Sequence, residues 1–375
     1  MVNALITRFV STLAFVARST SLAGGKIDTH IHALPPPYID ALQAMGGDPS
    51  GFPTPEWTLD ATIRSMNAVG TSLGRECAAL SSKFHAPDKS TSINSVLGIL
   101  SLSTPGIPIV GTGEQGRSLS RTLNSYFGNV TTGEKFKTRL GFFGVLPDWQ
   151  DVNGTISEID FLYRDQKLCN GVTVYTSYGN RLLGDPLFSP IWAKLQEYSA
   201  LVFLHPGVLA VEPKFIASGL PQPIVDYPLA TTRAAVDLVM TGTFRRCPDV
   251  DIILSHAGGT LPFVGQRAAG SLVLPEVAAM VGGYKLTEAK ADFARFYYDI
   301  ALSTSSAQLN GLLDFTDSSH VLFGSDFPYA PQVAIDGLLL QYAAFVTTNS
   351  RGEKLSPSQL RKNSEELLKK HALYK

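Results

Sequence analysis

The stretch Asp28-Thr29-His30-Ile31-His32 constrains this chain more than any other part of its sequence. Positions 27, 29 and 31 carry apolar or threonine side chains and alternate with polar residues at 28, 30 and 32, which is the period of two expected of a β-strand. Both histidines therefore project from one side, where they can bind one divalent metal. The prolines at 35–37 end the strand, so the pair lies at its C-terminal end. A strand with two hydrogen-bonded histidines is the competing interpretation, because H-x-H is a short pattern.

The composition is that of a globular protein without a strongly charged partner. The chain has 375 residues, of which 44% are hydrophobic and 17% are charged, enough for one large domain or two ordinary ones. A formal net charge of −1 gives no support for a nucleic-acid or membrane-surface partner. Cysteines are sparse and form no C-x-x-C pattern, so we expect buried structural thiols at Cys77, Cys169 and Cys247.

Two segments differ from the rest of the chain. Residues 1–25 carry two arginines and no acid, which predicts a disordered or loosely helical extension or a weak targeting segment, and otherwise a cytoplasmic protein. Residues 26–375 are predicted to form a single domain, interrupted at about 75–98 by an irregular insertion that is either a surface excursion or a gene-model artefact. No later segment reaches the roughly 18 uninterrupted apolar residues that a membrane span needs.

Eight predicted strands alternate with helical segments along the domain. The strands begin near residues 26, 98, 140, 171, 200, 250, 296 and 320. Helices are predicted over 57–68, 117–129, 156–168, 190–198, 231–241, 260–290 and 356–374, and a Pro/Gly-rich loop over 35–55. Near-continuous apolar strands alternating with helices favour an α/β fold of the (β/α)8 TIM-barrel type. An open doubly wound sheet is the alternative, although no strand is followed by a Gly-x-Gly-x-x-Gly loop.

Four histidines and one aspartate fall at the C-terminal ends of these strands. His30 and His32 end the first strand, His205 the fifth, His256 the sixth and Asp326 the eighth. Each alone is explained equally well as a hydrogen-bonded strand histidine or a turn cap. In a barrel, however, these ends open onto one face, which is where active sites lie. The shared placement therefore predicts a metal site.

Imidazole and carboxylate ligands suit Zn2+ or Mn2+. His30, His32, His205 and Asp326 supply three nitrogens and one oxygen, which leaves His256 as an acid/base or electrostatic group beside the metal. Strand four, residues 171–175, ends in Val172-Thr173-Val174-Tyr175 and has no lysine to bridge a second metal, so one metal ion is predicted. The remaining histidines do not share this placement and are predicted to be structural or surface residues, namely His85, His320 and His371.

The motifs together resemble the amidohydrolase superfamily, and within it the metal-dependent decarboxylases typified by α-amino-β-carboxymuconate-ε-semialdehyde decarboxylase. The resemblance rests on Asp28-Thr29-His30-Ile31-His32, His205-Pro206, Ser255-His256-Ala257-Gly258-Gly259 and Gly324-Ser325-Asp326-Phe327-Pro328. Further segments are similar to the fungal 6-methylsalicylate decarboxylases, namely Thr176-Ser177-Tyr178-Gly179, Leu183-Gly184-Asp185-Pro186, Asp226-Tyr227-Pro228 and Ala301-Leu302-Ser303-Thr304. The resemblance runs from about residue 26 to the C-terminus, except at about 75–98.

This resemblance implies a carboxy-lyase of fungal polyketide secondary metabolism that converts 6-methylsalicylate to 3-methylphenol and CO2 without an organic cofactor. It implies the same metal ligands, with His256 as the catalytic histidine, and leaves the proton donor open between Asp326 and a water at the metal controlled by His256. A homodimer or homotetramer is compatible with it. Candidate pocket residues for the aromatic acid are Tyr178, Arg181, Tyr227 and Phe327.

Two other functions stay open from the residues. The same ligands activate water for attack on a carbonyl, as in a metal-dependent lactonase or amidohydrolase. A catalytically silent barrel that serves as a binding protein is the second alternative, because the insertion precedes strand two and would disturb the barrel.

Overall fold

The computed structural model describes residues 25–81 and 97–373, with side chains given outside 71–81. Its framework is a set of eight parallel strands, and each lies where the sequence predicts one. They are β1 (Asp28–Ala33), β2 (Gly98–Leu102), β3 (Leu140–Phe142), β4 (Val172–Tyr175), β5 (Leu201–His205), β6 (Asp251–Leu254), β7 (Tyr297–Asp299) and β8 (Val321–Leu322).

The strands close into a barrel. Parallel ladders join β1 to β3 in one run and β4 to β8 in another. Isolated parallel bridges, Gly144 with Val172 and Asp28 with Phe323, join the two runs at both seams. At the second seam the Thr29 amide donates to the Phe323 carbonyl oxygen at 3.0 Å. The (β/α)8 prediction is therefore confirmed, and the open-sheet alternative is wrong.

Helices surround the barrel in the described part of the chain. They are α1 (Pro36–Ala44), α2 (Leu59–Ser81), α3 (Glu114–Thr132), α4 (Val152–Asp160), α5 (Ser189–Glu197), α6 (Gln222–Met240), α7 (Thr243–Arg246), α8 (Leu261–Gly270), α9 (Pro275–Met280), α10 (Leu286–Phe293), α11 (Ser306–Phe315), α12 (Gln332–Thr348) and α13 (Pro357–Lys370). A short antiparallel hairpin pairs Ser177–Tyr178 with Arg181–Leu182 after β4.

Several helix predictions need correction. The loop predicted over 35–55 contains α1, which begins with prolines because the first helical turn needs no amide donor. The helix predicted from 231 begins at Gln222, and Pro228 lies inside it. The segment 260–290 forms three short helices, α8 to α10, rather than one continuous helix. Three further helices, α7, α11 and α12, were not predicted.

The barrel interior is filled by side chains beneath the mouth. Phe143 and Phe203 stack at 5.2 Å between ring centroids, and they belong to an inner cluster with Ile99, Leu201, Ile253, Leu322 and Leu367. Leu367 comes from α13, which therefore covers the end of the barrel opposite the strand C-termini. Past that helix, His371 Nε2 lies 2.7 Å from the Asp251 carboxylate, and His320 stacks on Tyr297. Both histidines lie away from the mouth, in packing roles.

Some predictions fall outside the described residues. These are His85, residues 1–24 of the predicted extension and residues 82–96 of the predicted insertion. The first part of that insertion, up to Ser81, continues α2 as helical backbone. Cys169 and Cys247 are buried free thiols, whereas the side chain of Cys77 is not described. Among the described helices, none combines the length and apolarity needed to cross a membrane.

Candidate metal centre

The side chains of His30, His32, His205, His256 and Asp326 converge at the mouth of the barrel. The Nε2 atoms of His30 and His32 lie 3.1 Å apart. Asp326 Oδ1 lies 3.2 Å from the first of these atoms and 2.9 Å from the second. The rings of His32 and His205 are 4.6 Å apart, and His256 Nε2 lies 4.0 Å from Asp326 Oδ2. All five residues are buried, as the strand ends predict.

The donor set fits a divalent metal. One potential ligand atom from each of His30, His205, His256 and Asp326 lies within 4.8 Å of the other three. His32 adjoins this set through its contacts with His30 and Asp326. The geometry therefore adds His256 to the candidate ligands, and the predicted set of His30, His32, His205 and Asp326 stays a prediction.

In His30, His32 and His205, the ring nitrogen that faces away from the cluster contacts an acceptor or a hydroxyl, whereas the buried Nδ1 of His256 has no hydrogen-bond partner among the described residues. His205 Nδ1 lies 2.9 Å from the Pro206 carbonyl oxygen, which can only accept. This contact places the proton on Nδ1 and leaves the Nε2 lone pair for the cluster. His30 Nδ1 lies 3.0 Å from Asp299 Oδ2, and His32 Nδ1 lies 3.5 Å from Ser101 Oγ. These contacts orient the imidazoles toward a common centre.

Asp299 is a site residue that the sequence analysis missed. It ends β7, is fully buried, and contacts His30 through Oδ2. Its Oδ1 accepts hydrogen bonds from the amides of His256 (3.2 Å) and Ala301 (3.0 Å). The available signal was its position, because it lies at a strand C-terminus like the residues that were identified.

In the cluster without a metal, nearby carboxylates favour a protonated, positively charged His30, at the place where a metal would supply positive charge. Burial lowers the pKa of His30, but Asp299 and Asp326 outweigh burial and raise it to about 10. For Asp326, burial raises the pKa, yet hydrogen bonds from His30 and His32 hold it well below its usual range. Burial lowers the pKa of His205 well below its usual value, and with the nearby His30 it lowers that of His256 to about 4. A bound cation would take the place of the proton on His30 Nε2, which faces Asp326, while the proton on Nδ1 stays with Asp299.

The turns that present these side chains have unusual backbone conformations. His256, Ala257, Leu302 and Asp326 all have positive φ angles, at 56°, 54°, 54° and 65°. This left-handed region costs free energy for residues other than glycine, and such residues cluster at functional sites. The Asp326 amide donates to the His30 carbonyl oxygen at 2.9 Å, so one strained turn is held directly by β1.

Two tyrosines line the mouth beside the cluster. The Tyr227 ring lies 6.5 Å from the His205 ring, and the Tyr329 ring lies 5.4 Å from the His32 ring. Tyr227 is only 3% exposed, and its hydroxyl is near Ser50 and Thr104. Neither tyrosine hydroxyl has a hydrogen-bond partner among the described residues. A polar ligand bound at the mouth would supply the partner that these hydroxyls lack.

The other predicted pocket residues are not brought to the cluster. Tyr178 stacks on Trp149, and its hydroxyl accepts the Tyr175 amide, so it packs in the core. Arg181 lies in the surface hairpin and pairs with Asp185 at 2.7 Å. Phe327 contributes mainly its carbonyl oxygen, which accepts the His32 amide at 2.7 Å. Of the four predicted residues, only Tyr227 has its ring beside a histidine of the cluster.

Comparisons with known proteins agree with this architecture. The amidohydrolase family profile matches residues 124–368. The chain is 37% identical to 6-methylsalicylic acid decarboxylase of Penicillium expansum over 314 residues, which cover 83% of this chain and 87% of that protein. It superposes on a solved amidohydrolase II with a TM-score of 0.75 and 26% identity, covering 92% of this chain and 99% of the other.

A more distant structure shares the fold. The dihydroxybenzoic acid decarboxylase of Polaromonas sp. JS666, solved with manganese and the inhibitor 2-nitroresorcinol, superposes with a TM-score of 0.65. It is 18% identical, and the superposition covers 92% of this chain and 97% of that one.

Proposed function

Because the chain belongs to the amidohydrolase family, and is similar over most of its length to a fungal decarboxylase, we propose that it is a metal-dependent carboxy-lyase acting on a 2-hydroxybenzoate. The proposed reaction is the non-oxidative conversion of 6-methylsalicylate to 3-methylphenol and CO2, within fungal polyketide metabolism. The observation that carries the proposal is the buried group of imidazoles and one carboxylate at the barrel mouth.

The proposed ligands are His30, His32, His205 and Asp326, and the proposed metal is one Zn2+ or Mn2+ ion. When bound, the metal supplies a Lewis acid for the carboxylate and phenolic oxygens of the substrate. The orienting contacts of His30 and His205 support this assignment, since each leaves Nε2 facing the cluster.

Tyr227 and Tyr329 are the proposed pocket walls. Burial raises the pKa of Tyr227 above its ordinary value, so its hydroxyl stays protonated and can donate to a substrate oxygen. The rings offer apolar surface to the methyl-bearing aromatic ring. A buried mouth of this kind keeps water from the reacting carbon.

The proton reaches the ring carbon that bears the carboxyl group, and cleavage of the C–C bond then releases CO2 and restores aromaticity. The sequence left the donor open between Asp326 and a water at the metal controlled by His256. The hydrogen bonds that hold Asp326 ionised favour His256. Burial keeps the imidazole of His256 neutral in the absence of substrate. An anionic substrate beside it favours the imidazolium form that can donate.

The test uses the full-length chain loaded with Mn2+ or Zn2+ and incubated with 6-methylsalicylate. We expect 3-methylphenol and CO2 in equal amounts, and we expect His205→Ala to lose both activity and stoichiometric metal. Turnover of lactones without turnover of the aromatic acid would replace the proposal by a hydrolase. Light scattering on the same sample reports whether the protein is a dimer or tetramer.

A further inference from the structure

Asp299 contacts two different parts of the site through its two carboxylate oxygens. We propose that Asp299 is a positioning residue that couples the metal centre to His256, fixing the tautomer of His30 with one oxygen and the backbone of His256 with the other. The catalytic half of this inference rests on the proposed function, whereas the metal half does not.

The first contact sets which nitrogen of His30 is free. Asp299 Oδ2 and His30 Nδ1 lie 3.0 Å apart, and both side chains are fully buried. A carboxylate only accepts hydrogen bonds, so Nδ1 carries the proton in this pair. Nε2, which lies 3.2 Å from Asp326 Oδ1, is then the nitrogen that faces the cluster, and it offers a lone pair once its own proton is released on metal binding. Without Asp299, either tautomer of His30 would be available.

The second contact holds a strained turn. Asp299 Oδ1 accepts from the His256 amide at 3.2 Å, and His256 has φ 56°. The same oxygen accepts from the Ala301 amide at 3.0 Å, which ties the carboxylate to its own strand end. A non-glycine residue in the left-handed region persists only when its surroundings fix it. Asp299 therefore supplies part of the restraint that aims the His256 side chain.

Gly324, which follows the end of β8, shows how closely this arrangement is packed. A Cβ atom at this position would lie 2.8 Å from His30 Cβ and 3.1 Å from Asp299 Oδ1. The absence of a side chain there lets the His30–Asp299 pair fit against the end of β8. The coupling is thus built by three strands, β1, β7 and β8.

Asp28 provides a matched control. It is also a buried aspartate at a strand of the barrel, and its Oδ1 accepts from the amides of His30 and Ser325, each at 3.1 Å. Its described hydrogen bonds involve no imidazole ring. Asp28→Asn therefore removes a buried carboxylate and keeps the acceptor oxygen, without acting on a tautomer.

The decisive variant is Asp299→Asn, because asparagine has one acceptor and one donor at the same positions. The two backbone amides require the oxygen, so the NH2 group faces His30 Nδ1. That nitrogen must then accept, and the proton moves to Nε2, the atom needed for the metal. The variant thus keeps the His256 contact and reverses the His30 tautomer. Asp299→Ala loses both contacts.

The experiment measures metal affinity by competition with a chelator, and kcat for the aromatic acid at saturating metal. We expect Asp299→Asn to lose about 10- to 100-fold in metal affinity while kcat falls by less than about fivefold. We expect Asp299→Ala to lower both the metal affinity and kcat. The metal affinity of Asp28→Asn should stay within about threefold of wild type. Circular dichroism checks the fold, and if Asp299→Ala does not fold, Asp299→Asn alone decides the metal half.

Unchanged metal affinity in Asp299→Asn would overturn the proposal, as would an equal affinity loss in Asp28→Asn. Equal kcat for the two Asp299 variants would overturn the coupling to His256. The outcomes separate this inference from the proposed function. Weakened metal binding in a protein that does not decarboxylate any 2-hydroxybenzoate would sustain the metal half and refute the proposed activity.

Discussion

The unpartnered hydroxyl of Tyr227 makes a prediction with opposite signs for stability and activity. The residue is 3% exposed, and among the described residues its hydroxyl has no hydrogen-bond partner. A buried hydroxyl left in this state costs about 1–3 kcal/mol of folding free energy. In Tyr227→Phe that cost disappears and the ring remains. We therefore expect the free energy of unfolding of the metal-free protein to rise by about 1 kcal/mol.

The activity should change in the other direction. If the hydroxyl donates to a substrate oxygen, its removal costs about 0.5–1.5 kcal/mol of binding, which corresponds to about a 2- to 10-fold higher KM. Gains in stability with losses in activity are typical of sites whose polar groups await a ligand. The assays are urea unfolding of the metal-free chain and steady-state kinetics with 6-methylsalicylate.

Tyr342→Phe is the control, because the Tyr342 hydroxyl is fully buried on α12 and donates to the Leu355 carbonyl oxygen at 2.5 Å. This variant loses a satisfied hydrogen bond, so it should be destabilised by about 1 kcal/mol and keep its KM. If Tyr227→Phe is destabilised like the control, its hydroxyl has a partner in the protein. An unchanged KM would show that the hydroxyl does not contact the substrate.

Three further outcomes follow from the structure. Gly324→Ala places a Cβ atom 2.8 Å from His30 Cβ, so it should lower metal affinity by chelator competition and destabilise the protein by about 1–3 kcal/mol. Burial lowers the pKa of Lys26 to about 8, so above that pH this lysine is more protonated in the unfolded chain than in the folded one. The difference in free energy of unfolding between wild type and Lys26→Met should therefore shift in favour of wild type by roughly 3 kcal/mol between pH 8 and about 10.5 in urea titrations; the raised pKa of His30 acts in the opposite direction in both proteins and cancels in this difference. Nearby carboxylates raise the pKa of His30 to about 10 in the metal-free protein, so metal binding at pH 7 should release about one proton, measured by calorimetry in two buffers; no release would contradict the protonated state.

The barrel strands were the part of the fold that could be predicted from the sequence. Each barrel strand is a short, nearly continuous apolar run, so position and type follow from local pattern. Helices were predicted less well, since a proline inside α6 hid its first half and the prolines of α1 resembled a loop. The proline inside α6 depends on how tertiary packing tolerates it, which a local pattern does not show. The prolines of α1 occupy the first helical turn, where they are compatible with either a helix start or a loop.

The same limit of local sequence patterns explains which residues of the site could be predicted. His30, His32, His205, His256 and Asp326 were found because histidine and aspartate at strand ends are conspicuous in sequence. Asp299 also ends a strand but lies between aromatic and aliphatic residues without a recognisable motif. Its role depends on two contacts, with His30 and His256, that are 269 and 43 positions distant in the chain. Such contacts form only when the barrel closes, so a local sequence pattern does not show them.

The cluster lies across the β1–β8 seam, so metal binding and closure of the barrel are expected to stabilise each other. The β1–β8 seam consists of isolated bridges instead of a continuous ladder. His30 and His32 lie on one side of the seam, and Asp326 lies on the other, 2.9 Å from His32. The Asp326 amide also donates to the His30 carbonyl oxygen across it. A cation bound by residues of both sides would therefore add cross-links where backbone pairing is sparse, so that metal binding and barrel closure stabilise the same contacts.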